Sequence, residues 1–560
     1  MYTENVKQAC QDCGTDFEIT QKHLDFYDSV SPVFGGTKCA LPPPVSCAPC
    51  RQQRKNSWRN ERVLYKRKCG LCKQSMISLF SEDSPYVIYC NKCFWGDGWS
   101  PHEGFAYDFG KTFAEQFDRL LKVTPFLGTI HVNAENSEWC NRVYNSRNNY
   151  LSIIVLFGSE NIMHGYYSIS CKDICDTAMC QYAELSYELV DGEKCYNCFF
   201  STRMRNCSSC WFSEDCTGCR NCFQCKNLRQ KEYCIRNEQV TKEAYEKFVK
   251  TIDTGSFAAV EKLRKESDTF FLTLPNRAAL VIDCENCTGA NIYHCKDCAD
   301  TYTFYESEKM QFCCFGEKSH DCMDCYGQGD SEFCYECQGF LTSNQNIFCN
   351  DCAVNANIGY CYQINSNSSD CFGCIGLKKA KYRILNKQYT KEEYEELMPK
   401  IVAHMRTTGE WGRWLSPGFS PHGYNETVAQ EYFPLTKDEA VKKGFGWRDK
   451  DPAEYQPSSV DVPDDIADVP DTFTSATLAC SDCGKNYRII AQELAFYRHH
   501  KLPIPRKCPD CRHLARIARR PPPRLWERKC AHCSKNTLSS YAPERPEIIY
   551  CEECYLKEVY

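Results

Sequence analysis

The sequence predicts a multidomain, mainly β chain with short helices, in which paired tetra-cysteine modules flank a cysteine-rich, β-solenoid-like repeat centre with helical caps. Three observations predict it. The first is a set of CxxC pairs near each end: Cys10/Cys13, Cys47/Cys50, Cys69/Cys72 and Cys90/Cys93, then Cys480/Cys483, Cys508/Cys511, Cys530/Cys533 and Cys551/Cys554. In both sets the third pair begins 19 positions after the second pair ends, and 17 residues lie between the third pair and the fourth. The second is a further 28 cysteines between residues 140 and 390, with Asn, Asp, Gly and Ser between them. The third is a duplication at an offset of 149, in which Cys222-Phe-Gln-Cys225 through Tyr245-Glu246 matches Cys371-Phe-Gly-Cys374 through Tyr394-Glu395.

Composition narrows the class. The chain has 560 residues, a formal charge of −6 and 45 cysteines. So many cysteines in a short secreted chain would signal a disulfide scaffold. Here the chain is long, Met1–Lys7 carries no apolar h-region, and the cysteines come as CxxC pairs. A reduced, cytoplasmic, metal-binding protein is the expectation. The longest apolar run, Leu151–Phe157, is too short to cross a bilayer.

Residues 1–95 read as the first pair of modules. Each knuckle offers two thiolates on a tight turn, and two knuckles complete a tetrahedral S4 shell that suits Zn2+. About four structural zinc ions are expected, two at each end, with no open coordination position and so no catalysis. Phe17–Thr20 predicts a strand and Gln21–Ser29 a helix, while Ser31–Pro44 is an insertion that carries Cys39. After Cys50, the residues Arg51, Arg54, Lys55, Arg59 and Arg62 recur at helical spacing and line one face. A solvated face is the plain reading of one such run. Its recurrence at Arg512, Arg516, Arg519 and Arg520 favours phosphate binding, whereas Trp58 is read as packing.

Residues 96–139 form a connector. Gly104-x5-Gly110-Lys111-Thr112 has one residue too many for a phosphate-binding loop and follows no apolar strand. Thr112 instead caps an amphipathic helix, Phe113–Leu121. Residues 140–270 and 271–410 read as two repeat lobes whose cysteines show a rhythm without fixed spacing, as in stacked coils. Helices capped by Thr241 and Thr390 close the lobes, the first broken near Gly255. The interior cysteines are expected to stack as small hydrophobes. Additional Zn2+ or iron–sulfur clusters are the alternatives.

Residues 411–475 contain an aromatic and proline-rich segment, a short helix capped by Thr436 and Glu439, and the acidic stretch Asp451–Ser475, read as a flexible linker. Residues 476–560 form the second pair of modules. Cys480-Ser-Asp-Cys483-Gly-Lys-Asn-Tyr … Phe496-Tyr497 … Cys508-Pro-Asp-Cys511-Arg resembles the probable zinc-ribbon module of treble-clef type, and Cys10-Gln-Asp-Cys13-Gly … Phe26-Tyr27 … Cys47-Ala-Pro-Cys50-Arg is similar. The whole layout resembles long cysteine-rich multi-zinc-ribbon proteins of candidate-phyla, ultrasmall bacteria. That resemblance implies metal and fold, and no activity.

The functional expectation is a zinc-binding scaffold that grips nucleic acid, RNA or a ribonucleoprotein, through the basic helices at both ends. The alternatives are a protein-interaction platform built on the solenoid, or metal storage and redox. Neither HExxH nor GxSxG nor a Walker motif occurs, and no catalytic residue is assigned.

Overall fold

The structure, a computed structural model, describes residues 6–100, 104–339, 341–364, 367–449 and 455–559. It forms two compact units that interleave along the chain. The first comprises residues 1–129, 279–449 and 522–525, and the second comprises 130–278, 450–521 and 526–560. Each terminal module pair thus belongs with the repeat lobe more distant from it in sequence.

Each lobe is a parallel β-solenoid with 12 residues per coil. The register runs Tyr166↔Ala178↔Val190↔Thr202↔Glu214↔Lys226 in one lobe and Glu308↔His320↔Glu332↔Asn344 in the other. A left-handed residue recurs at every third position, for example His164, Tyr167, Ser170, Asp173, Asp176 and Met179, with φ between 48° and 63°. Twelve residues at one corner per three give a four-sided coil. The abundance of Asn and Asp follows, because these side chains tolerate the left-handed region best after glycine.

This geometry turns every third side chain inward and corrects the expectation of a rhythm without fixed spacing. Cys195, Cys198, Ser201, Met204, Cys207, Cys210, Ser213, Cys216, Cys219, Cys222 and Cys225 are all buried, three residues apart. A CxxC here marks two adjacent sides of a coil and not a knuckle. One-residue insertions hid the period: the register steps by 13 at Arg147↔Glu160 and again at Asn355↔Ser368. Cys175 and Cys314 stand outside the phase; Cys175 Sγ is 3.8 Å from Tyr497 Oη and Cys314 Sγ is 3.8 Å from Gln52 Oε1.

The hydrogen bonds explain why the interior is cysteine and serine. Outer amides pair between coils, as in Tyr166 N to Thr177 O and Met179 N to Tyr166 O. Many inward residues donate their amide to the side chain one coil earlier: Cys198 N to Ser186 Oγ at 3.3 Å, Ser213 N to Ser201 Oγ at 3.2 Å, Asn237 N to Cys225 Sγ at 3.4 Å and Asn386 N to Cys374 Sγ at 3.4 Å. The inward groups donate in turn, as Cys195 Sγ does to Glu193 O at 3.3 Å and to Met204 O at 3.4 Å. A small side chain that both donates and accepts therefore satisfies a buried amide that an alanine would orphan.

A hairpin and a helix close each lobe. Glu232–Ile235 pairs with Glu238–Gln239, Lys381–Ile384 pairs with Lys387–Gln388, and the helices Lys242–Val249 and Lys391–Thr407 follow. Thr390 and Glu393 form a full capping box, whereas Thr241 caps alone. The acidic stretch departs from its expectation. Residues 451–454 lie outside the described residues, but Ile466, Val469 and Phe473 are buried, and Asp464 caps the helix Phe257–Phe271 by accepting from Ala258 N at 3.0 Å. Its spaced apolar residues give it a packed face, which a linker of pure charge lacks. Among the described residues no helix is long and apolar enough to cross a membrane.

Candidate metal centres

Four tetra-cysteine clusters form: Cys10/Cys13/Cys47/Cys50, Cys69/Cys72/Cys90/Cys93, Cys480/Cys483/Cys508/Cys511 and Cys530/Cys533/Cys551/Cys554, each with its sulfurs within 4.8 Å of one another. All sixteen terminal ligands named from the sequence are brought together in the predicted sets.

The four sites share one local construction. The first knuckle turns through a left-handed residue after its second cysteine, at Gly14, Lys73, Gly484 and Ser534. The second knuckle opens a helix: Ala48–Asn56, Asn91–Trp95, Pro509–Ala518 and Glu552–Val559. Helix starts favour anionic sulfur. The two knuckles are tied by an amide-to-sulfur bond, from Cys47 N to Cys10 Sγ at 3.3 Å, Cys90 N to Cys69 Sγ at 3.3 Å, Cys508 N to Cys480 Sγ at 3.2 Å and Cys551 N to Cys530 Sγ at 3.2 Å. Between knuckles the sulfurs stand 3.8, 3.9, 3.7 and 3.8 Å apart. A tetrahedron with metal–sulfur bonds of about 2.3 Å has edges of about 3.8 Å, so the donor set fits a tetrahedral ion.

Protonation varies from sulfur to sulfur in both the terminal clusters and the interior. At Cys480 burial pushes the thiol up, but the amides of Cys508, Cys483 and Asp482 pull it down further, to about 7. Cys69 and Cys530 fall in the same way to about 6. At Cys10, Cys90 and Cys508 burial wins and the thiol is raised, at Cys508 to about 11. In the lobes burial pushes Cys140 up to about 12 and Cys171 to about 11. Others there are drawn down by neighbouring thiols: Cys198 by Cys195, Cys219 by Cys207 and Cys295 by Cys298, the last to about 7, while at Cys337 and Cys361 thiol donors outweigh burial. Cys322, Cys334 and Cys337 also lie within 4.8 Å of one another. Their thiols donate to His320 O at 3.2 Å, Glu332 O at 3.2 Å and Met323 O at 3.6 Å, so they are satisfied as protein groups.

The basic stripes point inward, which corrects the expectation of an open phosphate-binding face. Arg51 is 2% exposed, with Nε 2.6 Å from Asp324 Oδ2 and Nη1 donating to Ser46 O. Lys55 is 0% exposed. Arg59 is buried against Glu61 at 2.6 Å and lies over the Tyr326 ring. In the other unit Arg512 binds Asp176, Glu493 and Tyr497 Oη; Arg516 binds Asp176 at 2.6 Å and His164 O at 3.1 Å; Arg520 binds Asp191 at 2.9 Å. Arg54, Arg62 and Arg519 are half-buried, Arg54 at 3.3 Å from Glu336. Each stripe fastens its module to a solenoid. Desolvation dictates the outcome, because a buried guanidinium needs a carboxylate, and Asp324 and Asp176 occupy inner corners that supply one.

Sequence reasoning missed these two aspartates. The signal that finds them is pairwise: Asp176/Tyr187 and Asp324/Tyr335 share an offset of 148. Tyr187 and Tyr335 make edge contacts with Tyr497 and Tyr27, at ring distances of 5.7 and 5.0 Å.

Comparison of the chain with protein-family profiles and with curated protein sequences finds no match. The fold and the geometry of these sites therefore carry the functional reading.

Proposed function

We propose that this protein is a zinc-stabilised scaffold in which four Zn(Cys)4 modules lock two solenoid lobes, whose coil faces serve as a platform for protein partners. The observation that supports it is the inward turn of the arginines, which spends the most basic helices on docking the modules. The S4 donor sets and their spacing suit Zn2+, and a closed S4 shell gives each ion a structural role. The test is capture of partners by the full-length zinc-loaded protein. Partners that survive nuclease and high salt support the reading, and loss of all of them on nuclease treatment refutes it.

A second reading, binding to RNA or a ribonucleoprotein, draws on other cations. Lys68, Lys73 and Lys92 are exposed around the Cys69 site, and Lys529 and Lys535 around the Cys530 site. Affinity carried by these lysines falls steeply with salt and is insensitive to Arg51→Met. A protein that ignores RNA at low salt ends that reading.

A further inference from the structure

One coil face of the second lobe is strongly acidic. The first module pair packs on the column Met323, Tyr335 and Ile347 of that lobe. The next column runs Glu285↔Lys296↔Glu308↔His320↔Glu332 and is exposed or half-exposed. The left-handed corners on one side of it carry Asp283, Glu306 and Asp330, and those on the other carry Asp297 and Asp321. Over these five coils the face holds eight acids against three lysines, Lys296, Lys309 and Lys318. Lys296 holds Glu285 at 3.4 Å and Lys309 holds Asp321 at 3.9 Å. Glu306 and Asp330 have no ion pair among the described residues. Burial lifts the nearby Glu317 carboxyl above its ordinary range; Lys318 opposes the shift, and Asp330 and Glu306 add to it.

The first lobe supplies the internal control, because the duplication builds the same face there. The offset of 148 that relates Asp176 to Asp324 also relates Lys172 and Glu184 to His320 and Glu332. Earlier in the column Glu135, Arg147 and Glu160 repeat the acid–base–acid order of Glu285, Lys296 and Glu308. The corners are where the lobes differ. The first lobe places Asn133, Asn136, Asn145, Asn148 and Asn161 there. Their amides bond one another, Asn133 Nδ2 donating to Asn145 Oδ1 at 2.9 Å and Asn136 Nδ2 to Asn148 Oδ1 at 3.2 Å. Asparagine tolerates the left-handed corner at least as well as an acid does. Stacked carboxylates repel where stacked amides attract. The coil therefore has no structural need of the corner acids, and they act against its stability.

We propose, resting on the platform reading, that this acidic face of the second lobe docks a lysine- and arginine-rich segment of a protein partner. Five coils at about 4.8 Å span about 19 Å, the reach of about six extended residues. Charge of this sign steers a basic segment to the face and rejects wrong partners. Nucleic acid is repelled by the same field. A divalent cation is not the occupant, because among the described residues the groups gathered to hold an ion are all cysteines.

The experiment uses full-length, zinc-loaded protein and follows a fluorescein-labelled octapeptide of alternating arginine and lysine by fluorescence anisotropy at low salt. The peptide is expected to bind, and Glu306→Gln/Asp330→Asn/Glu332→Gln is expected to weaken it about tenfold or more. These three side chains are exposed and make no ion pair among the described residues, so the variant folds. Glu135→Gln/Glu184→Gln/Glu232→Gln removes the same charge from the first lobe and is expected to change the affinity by less than about twofold. Absence of binding overturns the proposal. Equal losses in the two triple variants overturn it as well, since they report net charge alone. Spermine that displaces the peptide at equal charge concentration assigns a small polyamine and overturns the protein segment. Partners that survive nuclease and high salt while the peptide fails to bind remove this face and leave the platform reading standing.

Discussion

Arg51 Nε lies 2.6 Å from Asp324 Oδ2 across 273 residues of chain, and Arg512 holds Asp176 across 336 in the other unit. In each unit the arginine directly after a cysteine knuckle reaches a corner aspartate of a solenoid coil. Beside it a tyrosine of the module, Tyr27 or Tyr497, meets a tyrosine of the next coil. The same docking device is thus built twice.

Breaking one half of it is expected to be severe. Arg51→Met leaves the Asp324 carboxylate buried and unpaired, and is expected to cost about 3–5 kcal/mol in chemical denaturation. Arg51→Met combined with Asp324→Asn is expected to recover most of that loss, since it removes the orphaned charge and keeps a side chain that tolerates the left-handed corner at φ 59°. Failure of the double variant to recover shows that Asp324 is not the charge Arg51 neutralises.

Metal content answers to single cysteines. Elemental analysis of protein purified without chelator is expected to give about four zinc per chain, and Cys483→Ser about three. Strong chelation is expected to release the metal with loss of the module structure, read by circular dichroism. A Cys483→Ser protein that keeps the full complement refutes the assignment of that site.

The interior rule predicts an asymmetry between substitutions. Ser213 accepts from Cys225 N at 3.1 Å and donates to Trp211 O at 3.0 Å. Ser213→Cys keeps both roles and is expected to be nearly neutral. Ser213→Ala orphans the amide and is expected to cost about 1–3 kcal/mol by urea denaturation, despite being the smaller change in volume.

Stability is expected to fall in acid through Glu214. Burial raises its pKa, but Arg203 and Lys226 pull it below the ordinary 4.5, to about 2. A depressed carboxylate contributes stability that is present above its unfolded pKa and is lost as pH falls through the folded one. The window therefore runs from about 4.5 down to about 2, and the loss is on the order of 3 kcal/mol. Glu214→Gln is expected to be less stable at neutral pH and to lack this part of the acid dependence. An unaltered acid profile in the variant removes Glu214 from the account.

Much of this was legible in the linear chain. The tetra-cysteine clusters are local in the relevant sense: CxxC spacing and a helix start place two sulfurs each, so Cys10 through Cys554 could be grouped before any fold was known. The caps at Thr112, Thr241, Thr390 and Thr436 were legible for the same reason, since each bonds within one turn. The three-residue period was present in the sequence but was masked by insertions, such as the one at Gly158, that shift its phase.

The sequence by itself thus determined the grouping of the terminal cysteines, the helix caps and the presence of two repeat lobes, because each is set by neighbours in the chain. Only the tertiary structure decided which module packs with which lobe and where the arginines point. Those outcomes depend on desolvation: charges that look like a solvated helix face become buried once a coil corner from hundreds of residues away brings a carboxylate to meet them.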